Sequence, residues 1–101
     1  MNDYYILRDD HSVQPVGVEE WAVMFDRDKR GVARDEIGDV IISTVFLGLD
    51  HSYGEGPPLL FETMIFGGEH NEDQWLYSTW DEAVAGHEAA VALVRDKTKA
   101  E

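Results

Sequence analysis

Three of the four histidines, His51, His70 and His87, lie near the carboxylates Asp50, Glu72, Asp73 and Glu88. Carboxylate–histidine sets of this kind hold zinc and other transition metals. The spacing does not enforce such a site: no two histidines stand four apart, and His87-Glu88 is a lone dipeptide. A small metal-dependent enzyme built on these histidines ranks third among the readings, and no metal or cofactor is expected. Glu69-x-Asn71-x-Asp73 has the opening alternation of a calcium loop, but Gln74 falls where glycine is needed and Trp80 where a bidentate glutamate is needed. Gly54-Glu55-Gly56-Pro57-Pro58 is glycine-rich yet precedes a strand pattern. A phosphate cradle needs a following helix N-terminus, and Glu55 would repel phosphate. Ser12, Ser43, Ser52 and Ser78 occur in no G-x-S-x-G elbow. With no cysteine, thiolate chemistry and disulfides are excluded. No catalytic residue is expected, and the chain is read as a non-enzyme.

The elements that position these side chains follow from patterning. Tyr4-Tyr5-Ile6-Leu7 and Ser12 to Val16 read as two short strands joined by the polar run Arg8 to His11, with Pro15 demanding an edge position. Val18, Trp21, Ala22 and Phe25 recur at helical spacing, so a short helix is expected over 18–26. Val32 to Glu36 reads as a strand. Asp39 to Leu49, rich in β-branched residues and apolar on both faces, reads as the central strand. Asp50 to Pro58 is a loop, Leu59 to Phe66 a strand, Glu69 to Gln74 an acidic turn and Trp75 to Tyr77 a last short strand. The chain then signals a helix start: Thr79-Trp80-Asp81-Glu82 is a capping box. Trp80, Val84, His87, Val91 and Val94 mark one face of a helix of about five turns. On that stripe His87 is expected to be a core-edge histidine hydrogen-bonded to a strand. Trp21, Trp75, Trp80, Phe25, Phe46, Phe61 and Phe66 are expected in the core, with Trp75 and Tyr77 partly exposed.

The order β-β-α-β-β-β-β-α has connections too short for parallel crossovers. The fold expected is therefore α+β: a mainly antiparallel sheet of about five to six strands, the long C-terminal helix on one face and a short helix near 18–26, in one domain spanning 1–101. The 101 residues, 44% hydrophobic and 11% aromatic, suit a globular chain.

Charge is the unusual quantity. Twenty-one Asp and Glu against eight Lys and Arg give a net charge of −13. That excludes direct electrostatic binding of nucleic acid or an anionic membrane, which needs a basic face. The distribution is uneven: five of the eight cations lie between Arg8 and Arg34, and then no Lys or Arg occurs from Asp35 to Val94. Twelve acids fall in that interval, most of them in expected loops or element ends. The plain reading is solubility or tolerance of high salt. The functional reading is attraction of a basic partner, with nucleic-acid mimicry as its sharper form. The contact residues expected are Tyr53, Glu55, Glu69, Glu72 and Asp73, because loops carry them outward. The N-terminus lacks the basic and apolar regions of a secretory signal, and the longest apolar run, Val40 to Leu49, is too short to span a bilayer. A cytoplasmic location is expected.

Two segments, STVFLGLDHSYGEGPPLLFETMIFGG at 43–68 and YSTWDEAVAGHEAAV at 77–91, resemble a family of small, functionally uncharacterised proteins encoded by bacteriophages and prophages. The opening YYILRDDHSVQPV and the Trp21 helix extend the resemblance over most of the chain. It carries over no catalytic residue. What it implies is context: small accessory phage proteins often bind and inhibit host factors, and acidic ones include nucleic-acid mimics of the anti-CRISPR and anti-restriction type. The expectation is a phage accessory protein that binds a basic, nucleic-acid-binding host or phage protein in the bacterial cytoplasm. The alternative is an assembly module that self-associates or joins a phage complex.

Overall fold

Thr79 opens the long helix as its sequence demands. The Glu82 amide donates to Thr79 Oγ1 (3.1 Å), while Glu82 Oε1 accepts from the Thr79 amide (3.1 Å). Asp81 and Glu82 occupy the first turn, where the helix dipole favours negative charge. The computed structural model describes residues 3–25, 29–52 and 56–99. In it the chain runs β1 (Tyr4–Leu7), β2 (Val13–Val16), α1 (Val18–Met24), β3 (Gly31–Ile37), β4 (Val40–Phe46), β5 (Phe61–Phe66), β6 (Gln74–Tyr77) and α2 (Trp80–Lys99).

The architecture is α+β, and every strand pair is antiparallel. The six strands divide into a β1-β2 hairpin and a four-stranded sheet of order β3-β4-β5-β6. Pro15, opposite Tyr5, costs no ladder bond to a third strand because β2 pairs only with β1. Helix α2 lies on one face of the larger sheet and touches all four strands. Ile42, Thr44 and Phe46 of β4 and Phe61, Thr63 and Ile65 of β5 face it and are buried. From α2 the buried residues are Ala83, His87, Ala90, Val91 and Val94; of the stripe expected from periodicity, His87, Val91 and Val94 are buried, Trp80 and Val84 are only half-buried, and Ala83 and Ala90 join it.

The core has two apolar halves with a polar belt between them. Ile42, Ile65, Ala90, Val91 and Val94 pack with Ile37 and Val40 at one end. Phe46, Leu60, Phe61 and Ala83 pack at the other, where Tyr5, Leu7 and Val13 of the hairpin join them. Thr44, Thr63 and His87 fill the middle, all buried.

Several boundaries move from their expected places, each for a local reason. β4 stops at Phe46, not Leu49: the Leu47 amide is drawn to the Leu60 carbonyl (2.7 Å), and Gly48 turns into the left-handed region (φ 76°) against the Phe25 and Trp21 rings. β5 begins at Phe61, not Leu59, because the Leu59 amide donates to Asp50 Oδ1 (3.0 Å). Helix α1 ends at Met24 and buries no residue completely; Val23 is 86% exposed. Asp26, expected as its last residue, lies outside the described residues. The largest correction is Phe66, which is 45% exposed instead of in the core. Side chains alternate along a strand, so Phe61, Thr63 and Ile65 face the helix while Glu62, Met64 and Phe66 face the other way. Two phenylalanines five residues apart on one strand cannot share a face.

Candidate functional site

The acids that carry the charge reading emerge from hairpin turns, and two of those turns meet. Gly38 and Asp39 make the two-residue turn between β3 and β4, with Gly38 in the left-handed region (φ 59°). Residues 67–73 join β5 to β6. The turns touch where Gly67 lies on Asp39: a Cβ at Gly67 would stand 2.7 Å from the Asp39 carbonyl oxygen. This packing, together with φ 96° at Gly67, requires glycine there. Glu36, Asp39, Glu69, Glu72 and Asp73 are therefore gathered at one end of the sheet, and all five are exposed.

The β5–β6 turn is held by its own hydrogen bonds. The Gly67 amide donates to Asn71 Oδ1 (2.6 Å), and the Asp73 amide to the His70 carbonyl (3.0 Å). The Glu72 amide donates to the Ile65 carbonyl (2.7 Å), and the Ile65 amide to the Asp73 carbonyl (3.0 Å). Two residues thus oppose one, a bulge whose first residue, Glu72, sits at φ 72°. Glycine is the usual occupant of such a position, and a side chain there costs about 1 kcal/mol or more. Glu72 is held in that conformation with its carboxylate exposed. His70 Nδ1 and Asp73 Oδ2 pair at 3.1 Å, and Arg34 pairs with Glu36 at 2.9 Å.

Beside these turns lies the face of the sheet opposite α2. The cross-strand pair Ile41 and Phe66 sits at the acidic end, and Met64 follows opposite Ser43. Phe66 supplies an exposed aromatic group, and aromatic residues are enriched at the centres of interfaces. Trp75 is 38% exposed, as expected for that strand, but shares the helix-side face with Thr63.

A second constellation is internal. His87 Nε2 lies 2.7 Å from Asp35 Oδ2, and His87 Nδ1 lies 2.7 Å from Thr44 Oγ1, which meets Thr63 Oγ1 from the neighbouring strand. An ionised carboxylate only accepts, so Nε2 carries a proton toward Asp35. In the neutral ring Nδ1 then accepts from the Thr44 hydroxyl, which accepts from Thr63. Carboxylate, imidazole and hydroxyl stand in the order of a nucleophilic triad. The hydroxyl, however, is fully buried under α2, where no substrate reaches it. The chain ties β3, β4 and β5 to the helix, as expected of a core-edge histidine. Its Asp35 end opens on a cleft of about 430 Å³ that Glu88, Arg95 and Asp96 also line.

Of the five expected contact residues, Glu69, Glu72 and Asp73 come together on one turn. Tyr53 and Glu55 lie outside the described residues, as does Gly54 between them. Sequence reading missed Asp39 and Phe66 as their neighbours. The Gly67-Gly68 pair was a signal for close approach, but it did not say to which segment. His51 and His70 do not join His87: among the described residues no three His, Asp or Glu converge to hold a metal ion. Also among the described residues, no helix is long and apolar enough to cross a membrane. No family model matches the chain, and no curated protein or solved structure is significantly similar to it.

Proposed function

We propose that the chain is a non-enzymatic accessory protein that docks on a basic, nucleic-acid-binding protein through the acidic end of its sheet. One observation carries this reading: the two hairpin turns pack so that Asp39, Glu69, Glu72 and Asp73 project from one end of the fold. Between Arg34 and Arg95 the sequence places no Lys or Arg among them. Fixed carboxylates on tight turns pre-form a negative surface, which steers a basic partner and loses little entropy on docking. The left-handed Glu72 supports the same reading, because glycine would serve the bulge at lower cost. Spaced carboxylates of this kind suit a partner groove made for phosphates, so the accessory role is that of an inhibitor in a bacterial cytoplasm, in a phage context. Tagged protein exposed to nuclease-treated bacterial lysate tests it. A basic nucleic-acid-binding protein should be captured at low salt, released at high salt, and displaced by added DNA or RNA. Capture that ignores salt and nucleic acid refutes the proposal.

A second reading is favoured by exposed Phe66 beside Ile41 and Met64 on the open face. In it, that face joins another subunit in an assembly, and the chain forms an oligomer that survives high salt.

A further inference from the structure

In a chain with so few cations, three of the eight Lys and Arg line one cavity. Arg8 enters it from the end of β1, and Lys29 and Arg30 from the segment before β3; its volume is about 380 Å³. Phe25, Phe46 and Trp80 supply its aromatic wall. These groups are far apart in sequence and meet because the β1–β2 hairpin folds over the start of α2. His11, at the hairpin tip with φ 71°, stacks on Trp80 with ring centroids 3.7 Å apart and planes 10° apart. The wall is therefore formed before any ligand arrives.

Among the described residues the three cations make no ion pair. Arg8 Nη1 donates to the Gln14 side-chain carbonyl (2.7 Å). Among the described residues, neither Lys29 nor Arg30 has a carboxylate within salt-bridge distance. Asp9 is the one acid on the described lining, against three cations and His11. Like charges gathered around a concavity repel one another, and a molecule with twenty-one acids offers many places to pair them instead.

We propose that this cavity binds a small organic phosphate bearing an aromatic ring, of the mononucleotide class. Guanidinium and ammonium groups recognise a phosphate, Arg30 through its planar fork and Lys29 as a point charge. The aromatic and apolar wall takes the ring. The volume lies at the small end of ligand sites, matching one ring system with one phosphate. The site is independent of the acidic end and does not rest on the docking function proposed for it.

The test is a titration at low salt with adenosine monophosphate, followed by tryptophan fluorescence and by amide and indole NMR shifts. Saturable binding is expected, with shifts at His11, Gly31 and the Trp80 indole. Adenosine and inorganic phosphate should each bind at least about tenfold more weakly, since each keeps half of the contacts. Lys29→Ala with Arg30→Ala should weaken binding at least about tenfold while the far-ultraviolet circular dichroism stays unchanged, and Arg8→Ala should weaken it separately. Arg34→Ala, a cation off the cavity, should leave it intact. No saturable binding overturns the proposal. So does inorganic phosphate binding as well as the nucleotide, or an Arg34→Ala loss equal to that of the cavity variants.

Discussion

Thr44→Val is a test of the polar belt that can be worked from its geometry. Valine keeps the shape of the side chain and removes one hydroxyl, which makes two buried hydrogen bonds, to Thr63 Oγ1 and His87 Nδ1. Both partners are themselves buried. The two are left unsatisfied at about 1–3 kcal/mol each, less about 1 kcal/mol for the added methyl, so a loss of about 1–5 kcal/mol is expected. Thr63→Val breaks only the outer bond, and Thr44 keeps its bond to His87; about 1 kcal/mol is expected. The double variant has a single orphan, His87 Nδ1, and should be no less stable than Thr44→Val alone. Urea unfolding of the three variants, followed by circular dichroism, measures this cycle. A Thr44→Val loss below about 0.5 kcal/mol refutes the reasoning, as does a double variant whose loss is the sum of the singles.

Other perturbations have equally definite outcomes. A Cβ at Gly86 would overlap the Tyr77 phenol, so Gly86→Ala should destabilise by about 1–3 kcal/mol despite alanine's better helix propensity. Combining it with Tyr77→Ala should relieve the clash, so that the double variant falls short of additivity in urea unfolding. Glu72→Gly should raise stability by about 1 kcal/mol, because glycine suits φ 72°, while weakening association with the basic partner; thermal unfolding and binding are measured together. At Asp50, burial alone would push the carboxyl up, but bonds from Ser52 and the Leu59 amide outweigh it and hold the group below the usual carboxylate value of about 3.9. A depressed folded value means its contribution is present above that pH and is lost as pH falls through the lowered one. Hydrogen exchange should therefore show the Ser52 and Leu59 amides losing protection in acid, and by about fivefold at neutral pH in Asp50→Ala.

What could be read from the sequence was whatever depends on neighbours along the chain. The Thr79–Glu82 cap, the α2 stripe with His87 on it and the exposure of Glu69, Glu72 and Asp73 all follow from spacings of a few residues. What could not be read depends on register. Thr44 stands opposite Thr63 only because β4 and β5 align as they do across a long connection, and Asp35 reaches His87 only because β3 presents it on the same face. Phe66 was misplaced because an apolar run hides the two-residue alternation that sends it outward. Asp39 joins the acidic turn through a contact between two hairpins, and Arg8 meets Lys29 and Arg30 through the folding of another. No pattern in a single segment encodes such meetings.

The docking function is exposed most directly by an association rate. With the captured basic partner immobilised, the rate constant of the wild type and of the Glu69→Lys, Glu72→Lys, Asp73→Lys variant is measured from low to high salt. The variant should associate at least about tenfold more slowly at low salt, with the two rates converging as salt screens the surface. Equal rates for the two proteins at low salt would contradict the docking function.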